Sequence, residues 1–138
     1  MEKNKELQQK YLELKSLEQQ INHSQQQISI LNKQIIEFKN LSDNLIKIKQ
    51  TKKDTEMFSP LGAGIFLKAE LKDTQNVIMN VGSNTFILKT VDEASDLIKR
   101  QVEELGSIIN QLELNLQELV MHAQKLEQEI ITLTAKTK

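Results

Sequence analysis

The feature that most constrains the fold is an unbroken seven-residue apolar repeat in the last third of the chain. The repeat alternates steps of four and three, at Ile98, Val102, Leu105, Ile109, Leu112, Leu116, Leu119, Ala123, Leu126, Ile130 and Leu133. This spacing places the apolar side chains along one side of an α-helix and is typical of a coiled-coil seam. The sequence therefore predicts a long helix over residues 91–138 whose apolar side packs against another helix.

A second heptad pattern occupies residues 1–52. One apolar row recurs every seventh position, at Leu7, Leu14, Ile21, Ile28 and Ile35, and a second row contains Leu17, Leu31, Phe38 and Leu45. Lys10 and Ser24 are polar exceptions in the second row. We expect this segment to form the partner helix.

The segment between the two helices, residues 53–90, contains the only proline and every glycine except Gly106. Strands are predicted at Ile65–Leu71, Val77–Val81 and Phe86–Leu88, with a fourth short strand at Met57-Phe58. Asn84 tolerates the positive φ that tight hairpin turns demand. The predicted fold class is α+β, mainly α: a long antiparallel two-helix coiled-coil hairpin with two small β-hairpins in the middle.

An antiparallel arrangement follows because the middle segment is short enough to turn the chain around. We favour the register in which the numbers of facing residues sum to 140, so that Leu14 faces Leu126 and the two free ends align. Sums seven higher or lower match the apolar rows equally well, so the spacing alone leaves the register open. In the favoured register Lys10 faces Ile130, which puts a weak layer near the free end.

Composition argues against several classes of function. A formal net charge of -1 gives no electrostatic footprint for nucleic acid, and the absence of cysteine excludes disulfides and thiolate metal sites. No apolar run reaches the length of a membrane span or resembles a signal peptide, so a cytoplasmic protein without membrane contact is expected. The two histidines, His23 and His122, fit a solvated helix surface better than a metal site.

No catalytic residue and no cofactor site is predicted. Carboxylates are spread around helices that also bear lysines, so no general acid–base pair stands out. Gly62-Ala63-Gly64 lacks the glycine pattern and the following Lys-Ser or Lys-Thr of a phosphate-binding loop, so a turn is the better interpretation.

Surplus apolar residues are the more informative feature. Tyr11, Leu12 and Ile131 lie outside the seam and near the free ends of the helices. They fit two interpretations equally well: the ordinary apolar residues of any surface, or an adhesive end for apolar segments of other chains. In the middle segment, unpaired strand edges need covering, and we predict an oligomer interface formed by Phe66, Ile78, Val81, Phe86 and Leu88.

Three stretches of the middle segment resemble the alpha-type subunits of the prefoldin family, especially the archaeal ones. These are residues 59–74 (SPLGAGIFLKAELKDT), residues 77–82 (VIMNVG) and residues 89–94 (KTVDEA). The flanking coils match that family in length and placement. One departure is the Ser83-Asn84 pair, which stands where the family often has a glycine-containing turn.

This resemblance implies a subunit of a hexameric chaperone. Two alpha-type and four beta-type subunits would join their hairpins into an oligomeric β-barrel with coiled coils extending from it. Such a complex captures unfolded client proteins at the coil tips without ATP and delivers them to a group II chaperonin. The client-binding residues implied for this chain are Leu7, Tyr11, Leu12, Ile130, Ile131 and Leu133. The alternative function is a structural coiled-coil adapter or tether with one defined protein partner.

Overall fold

The computed structural model describes residues 2–136 and confirms the predicted fold class. The elements are α1 (Glu2–Gln50), β1 (Thr55–Gly62), β2 (Ile65–Leu71), β3 (Asn76–Asn80), β4 (Phe86–Thr90) and α2 (Val91–Lys136). The strands form two separate two-stranded antiparallel sheets, β1–β2 and β3–β4. Met1, Thr137 and Lys138, the outermost residues of the predicted helical segments, lie outside the described residues.

The chain divides into two compact units. The helix-pair unit combines Met1–Gln34 with Leu105–Lys138, and the hairpin unit comprises Ile35–Glu104. The end of the helix-pair unit at which α1 begins and α2 ends is called the tip below.

The core of the helix-pair unit is the predicted apolar seam. Its buried residues are Leu17, Ala123, Leu126 and Ile130, and the half-buried residues packed against them are Leu7, Leu14, Ile21 and Leu119. All eight belong to the heptad rows. The seam is therefore the contact that holds α1 against α2 in this unit, as expected for apolar rows that can leave water only by facing each other.

Two cross-helix ion pairs identify the register. Lys10 Nζ donates to Glu129 Oε2 at 2.6 Å in the helix-pair unit, and Lys49 Nζ donates to Asp92 Oδ1 at 2.8 Å in the hairpin unit. The residue numbers of these pairs sum to 139 and 141. A register displaced by seven residues would move such partners about 10 Å apart along the helices. The register with a sum of 140 is thus the one observed.

The junction between β4 and α2 has no linker, and it carries Thr90, a residue type that favours the N-cap position. Thr90 is the last strand residue, and its Oγ1 accepts a hydrogen bond from the Glu93 N–H at 3.1 Å, as an N-cap should. The Val91 N–H donates to the Gln75 carbonyl at 2.8 Å. Val91 and Ala94 are buried in a second apolar cluster with Leu45 and Ile98. The second hairpin is therefore tied directly to the start of α2.

The first strand is longer than the predicted Met57-Phe58. It runs from Thr55 to Gly62 and includes Pro60, which pairs with Phe66 of β2. Proline lacks the N–H that an inner strand needs, and this makes it look like a strand terminator in the sequence. In a two-stranded sheet each strand has one unpaired edge, where that missing donor costs nothing.

Both hairpin turns place residues other than glycine in the left-handed region. Ser83 and Asn84 have φ values of 49° and 57°, and the Thr85 N–H donates to the Gly82 carbonyl at 2.9 Å. Two successive positive φ values and this bond define a type I′ turn, which matches the twist of the strands. Ala63, in the first hairpin, has a φ of 50°. The segment Gly62-Ala63-Gly64 is thus a hairpin turn.

Two glycines in open space should respond oppositely to alanine. A Cβ added at Gly106 or Gly82 meets no atom within 4 Å, but Gly106 is helical whereas Gly82 has a φ of +117°. We predict that Gly106→Ala raises the free energy of unfolding by about 1 kcal/mol through helix propensity. Gly82→Ala should lower it by roughly 1–3 kcal/mol through backbone strain. Urea denaturation followed by circular dichroism measures both, and the same sign for both variants would contradict this account.

Candidate functional site

The outer face of the second hairpin carries three large exposed apolar side chains. Ile78 pairs with Leu88, and Asn80 pairs with Phe86, so the side chains of these residues share one face of the sheet. Ile78, Leu88 and Phe86 are 69%, 66% and 63% exposed. The three belong to the predicted oligomer interface, and the structure brings them together.

The inner face of the same hairpin packs against other residues of the same chain. Val77 and Met79, which alternate with Ile78 along β3, pack against the buried cluster of Leu45, Val91, Ala94 and Ile98. The hairpin therefore has one face partly covered by its own chain, where Ile87 stays 40% exposed, and one face left to water. An exposed face built from large branched and aromatic side chains is typical of a binding surface.

The other two predicted interface residues lie elsewhere in the hairpin unit. Phe66 is on β2 and, together with Phe58 of β1, lines a shallow apolar cleft. Val81 follows β3, is half exposed, and donates its N–H to the Thr85 carbonyl at 2.9 Å. Phe58, which is 65% exposed, lies in the predicted short strand Met57-Phe58 but was not predicted as an interface residue. Phe58 could have been identified from its position two residues before Pro60, because alternate residues of a strand lie on the same face and Pro60 pairs with Phe66.

The first hairpin is exposed on both faces. Every residue of β1 is exposed, and in β2 only Ala69 and Leu71 are half-buried. Met57 and Leu67 project to the face opposite Phe58 and Phe66, and they too are exposed. An isolated two-stranded hairpin is at best marginally stable in water. The composition and exposure of this hairpin therefore suit a contact with other chains.

At the tip, the six predicted client-binding residues fall into two groups. Ile130 is 6% exposed and belongs to the seam core, while Leu7 and Leu133 are half-buried. Tyr11, Leu12 and Ile131 are 52%, 68% and 60% exposed. The first group holds the helices together, and the second is available to another molecule. The role of both groups in client binding stays a prediction.

The exposed tip residues do not form one patch. Tyr11 and Ile131 line a groove of about 500 Å³ with Ile130, Thr134 and Ala135. Leu12 is outside that lining. The Thr134 hydroxyl donates to the Ile130 carbonyl at 2.8 Å, so it is already bonded within the helix.

A charged groove also occupies the tip. Its lining residues are Glu6, Lys10, Lys125, Gln128, Glu129, Thr132 and Leu133. The Lys10–Glu129 ion pair crosses the seam here, and further along His122 Nε2 lies 3.3 Å from Glu13 Oε1. The hydrogen bond from Lys10 holds the pKa of the Glu129 carboxyl below its ordinary value, and the same bond raises the pKa of Lys10. Lys10 therefore occupies its seam position by pairing with Glu129, the residue just before the apolar seam residue Ile130.

The two histidines face one polar groove at the weak seam layer around Ser24. His23 and His122 line it together with Gln20 and Glu118. Across residues 2–136, however, no three His, Asp or Glu side chains are grouped closely enough to hold a metal ion. Neither helix, as far as the structure describes it, contains a segment apolar enough to cross a membrane.

Comparison with known proteins decides the family. The family described as Prefoldin subunit matches residues 17–136, which is most of the chain. The chain belongs to the prefoldin family. It is therefore a subunit of prefoldin type, a class of protein-folding chaperones, and its interaction surfaces can be interpreted in those terms.

Archaeal prefoldin alpha subunits are among the relatives of this prefoldin subunit. The prefoldin subunit alpha of Methanobrevibacter smithii is 36% identical over 107 residues, covering 78% of this chain and 73% of the relative. That of Pyrococcus horikoshii is 28% identical over 143 residues, covering 98% and 97%. The match to the alpha-type subunits, expected from residues 59–94, thus extends well into the coils.

A solved structure has the same fold. A chain in the cryo-EM structure of filamentous PFD from Methanocaldococcus jannaschii superposes with a TM-score of 0.78. The match covers 86% of this chain and 98% of that chain, at 19% sequence identity. This likeness confirms the arrangement of two long helices around two hairpins.

The Lys10–Glu129 pair should make stability depend on pH at the acid end. Because the folded-state pKa of Glu129 is lowered, the pair stabilises above the ordinary carboxyl pKa of about 4.3 and loses its effect as the pH falls through the lowered pKa. The raised pKa of Lys10 keeps the contribution present below about pH 10.4, and it is lost as the pH rises through the raised value.

We therefore expect Glu129→Gln to unfold at lower temperature than the natural chain near neutral pH. The difference should disappear in acid, where Glu129 is protonated in the natural chain. Thermal unfolding between neutral and strongly acidic pH measures this. Glu127→Gln, which alters an exposed carboxyl in the same helical turn, serves as the control. A difference for Glu129→Gln that persists unchanged in acid would show that charge on Glu129 is not its origin.

Proposed function

We propose that this chain is the alpha-type subunit of a hexameric prefoldin that captures non-native polypeptides without ATP and delivers them to a group II chaperonin. The observation that supports this most directly is the placement of exposed apolar residues. They are concentrated on the hairpins, and three more lie at the tip, while the seam between the helices is filled by its own residues. The hexamer would contain two such chains and four beta-type subunits, and it would act in the cytoplasm.

Assembly is assigned to the hairpins. The outer face of β3–β4 and both faces of β1–β2 present apolar side chains, and each strand of these sheets has an unpaired edge. Joining hairpins from several subunits into a closed barrel would pair the edges and bury the faces together. The predicted interface residues Phe66, Ile78, Val81, Phe86 and Leu88 would lie in these contacts.

Client capture is assigned to the tip. Tyr11, Leu12 and Ile131 offer exposed apolar area, and Leu7, Ile130 and Leu133 become accessible only if the last turns of the seam separate. One tip offers little area, so a single contact is weak. Six tips on one platform raise the effective concentration of each further contact, so that weak contacts hold a client and still release it.

This mechanism requires no nucleotide. Capture is driven by burial of apolar surface that a folded client would not display, and folding of the client removes that surface again. Release to a chaperonin then follows from loss of contacts as the client is transferred. A protein that works in this way needs no catalytic group, only a stable platform and exposed ends.

The test is removal of the tip while the platform is kept. A chain shortened to residues 14–126 loses the exposed tip residues but retains Leu14, Leu17 and Leu126 of the seam and all four strands. We expect it to assemble with a beta-type subunit as the full chain does. The resulting complex should protect an unfolding client from aggregation less well, measured by light scattering with citrate synthase as the client.

The matched control is the full chain with Leu114→Ser and Met121→Ser. This variant removes two large exposed side chains, 56% and 68% exposed, from the helix-pair unit away from the tip. It should protect the client as well as the natural chain. Equal protection by the shortened chain would contradict the assignment of the tip. Binding of only one folded protein, and of no unfolded client, would favour the adapter function.

A further inference from the structure

The two flanks of the seam differ in chemistry at the tip. In an antiparallel coil, the residues that border the seam on one side of α1 face their counterparts on the same side of α2. On one flank, Glu6 and Lys10 face Glu129 and Lys125. On the other, Tyr11 faces Ile131, Thr134 and Ala135 across the edge of Ile130. Among the described residues, the tip therefore has one groove with a charged lining and one groove with an uncharged lining.

The uncharged flank is suited to an apolar ligand. Its lining consists of an aromatic ring, two isoleucines, an alanine and one threonine whose hydroxyl is already bonded to a backbone carbonyl. A groove of about 500 Å³ lies within the size range of clefts that bind drug-sized ligands, roughly 300–1,000 Å³. It can remove several bulky side chains from water.

The same lining disfavours a charged ligand. None of the five lining residues within the described part of the chain carries a charge, so a charged side chain entering the groove would lose water without gaining a counter-ion from them. The other flank carries the Lys10–Glu129 ion pair across the seam, and the polar side chains of His122 and Glu13 lie side by side there. Apolar segments gain nothing there, because these groups would have to shed their hydration.

We infer that client binding at this tip is one-sided, and that the Tyr11–Ile131 groove takes short uncharged segments of two or three bulky apolar residues. This inference rests on the proposed chaperone function and makes it more specific. It narrows the assignment made above, because Leu12, although 68% exposed, does not line the groove and should contribute less to binding than Tyr11 and Ile131. General adhesiveness would instead make Leu12 and Ile131 equivalent, since their exposures are similar.

Site-specific photo-crosslinking distinguishes one-sided binding from general adhesiveness of the tip. A photoreactive phenylalanine analogue is placed at position 131, 12 or 128 of the full chain, within the assembled complex. Position 131 reports on the apolar groove, position 128 on the charged groove and position 12 on the exposed surface outside both. Because each position reports only on itself, the other arms of the complex do not obscure the result.

Two peptides serve as probes. The first carries Leu-Phe-Leu between uncharged Gly, Ser and Asn residues, and the second replaces the two leucines by lysine. For the first peptide, we expect position 131 to give about fivefold or more adduct than position 12 or 128, as apolar burial at one place predicts. For the second peptide, adduct at position 131 should fall by a similar factor.

A pair of serine variants tests the consequence for affinity. With the photoreactive analogue at position 11 of the assembled complex, Ile131→Ser should lower the adduct with the first peptide severalfold, whereas Leu12→Ser, which removes a similarly exposed apolar side chain one residue after Tyr11, should lower it much less. Quantification of the adducts measures both, and the beta-type arms do not contribute because they carry no analogue. The seam residues are unaltered in either variant, so each should fold and assemble.

The outcomes separate this inference from the proposed function. Equal adduct at positions 12 and 131, or equal losses from the two serine variants, would show that the tip binds clients on all sides and would overturn one-sided binding alone. Adduct mainly at position 128 would assign binding to the charged flank and also overturn it. Absence of adduct at all three positions would contradict client capture at the tip of this chain, and with it the proposed function itself.

Discussion

A two-helix seam buries only one side of each helix, and every other feature of this chain follows from that limit. The seam residues are well covered: Leu126 is 3% exposed and Leu17 is 6% exposed. Within residues 2–136, however, no polar or charged residue is buried. A core this narrow offers few buried positions against which the side chains of the hairpins can pack. It must obtain further burial from other molecules or leave apolar side chains in water.

The hairpin unit shows how this limit leads to assembly. β3–β4 is anchored because Val77 and Met79 reach the cluster around Val91 and Ala94 at the start of α2. No comparable anchor was available to β1–β2, whose side chains remain exposed on both faces. In the proposed hexamer, other subunits supply the surface that the chain lacks. In the proposed function the tip uses the same excess of apolar surface for transient partners, and in the one-sided binding inferred above its charged flank restricts that use to one side.

Much of this could be predicted from the sequence, because local periodicity governs it. The repeat from Ile98 to Leu133 predicts α2, and the Thr90 cap predicts where it begins; both are local signals that tertiary contacts do not override. The extent of β1 was missed because Pro60 is forbidden in inner strands but tolerated at an edge, and edge position is not a local property. The difference between the two grooves of the tip could not be predicted either. Leu12 and Ile131 are both large apolar residues near the free ends, and only the packing of the helices places Ile131 in a groove.

The account depends on the outer face of the second hairpin being an interface, and native mass spectrometry tests that most directly. The natural chain is mixed with a beta-type prefoldin subunit and compared with Leu88→Asp, which places a charge on that face, and with Met121→Asp, which places one on an equally exposed helix position. The account predicts a particle of two alpha-type and four beta-type subunits for the natural chain and for Met121→Asp, and loss of that particle for Leu88→Asp. An intact hexamer with Leu88→Asp, or a natural chain that remains monomeric beside its partner, would contradict it.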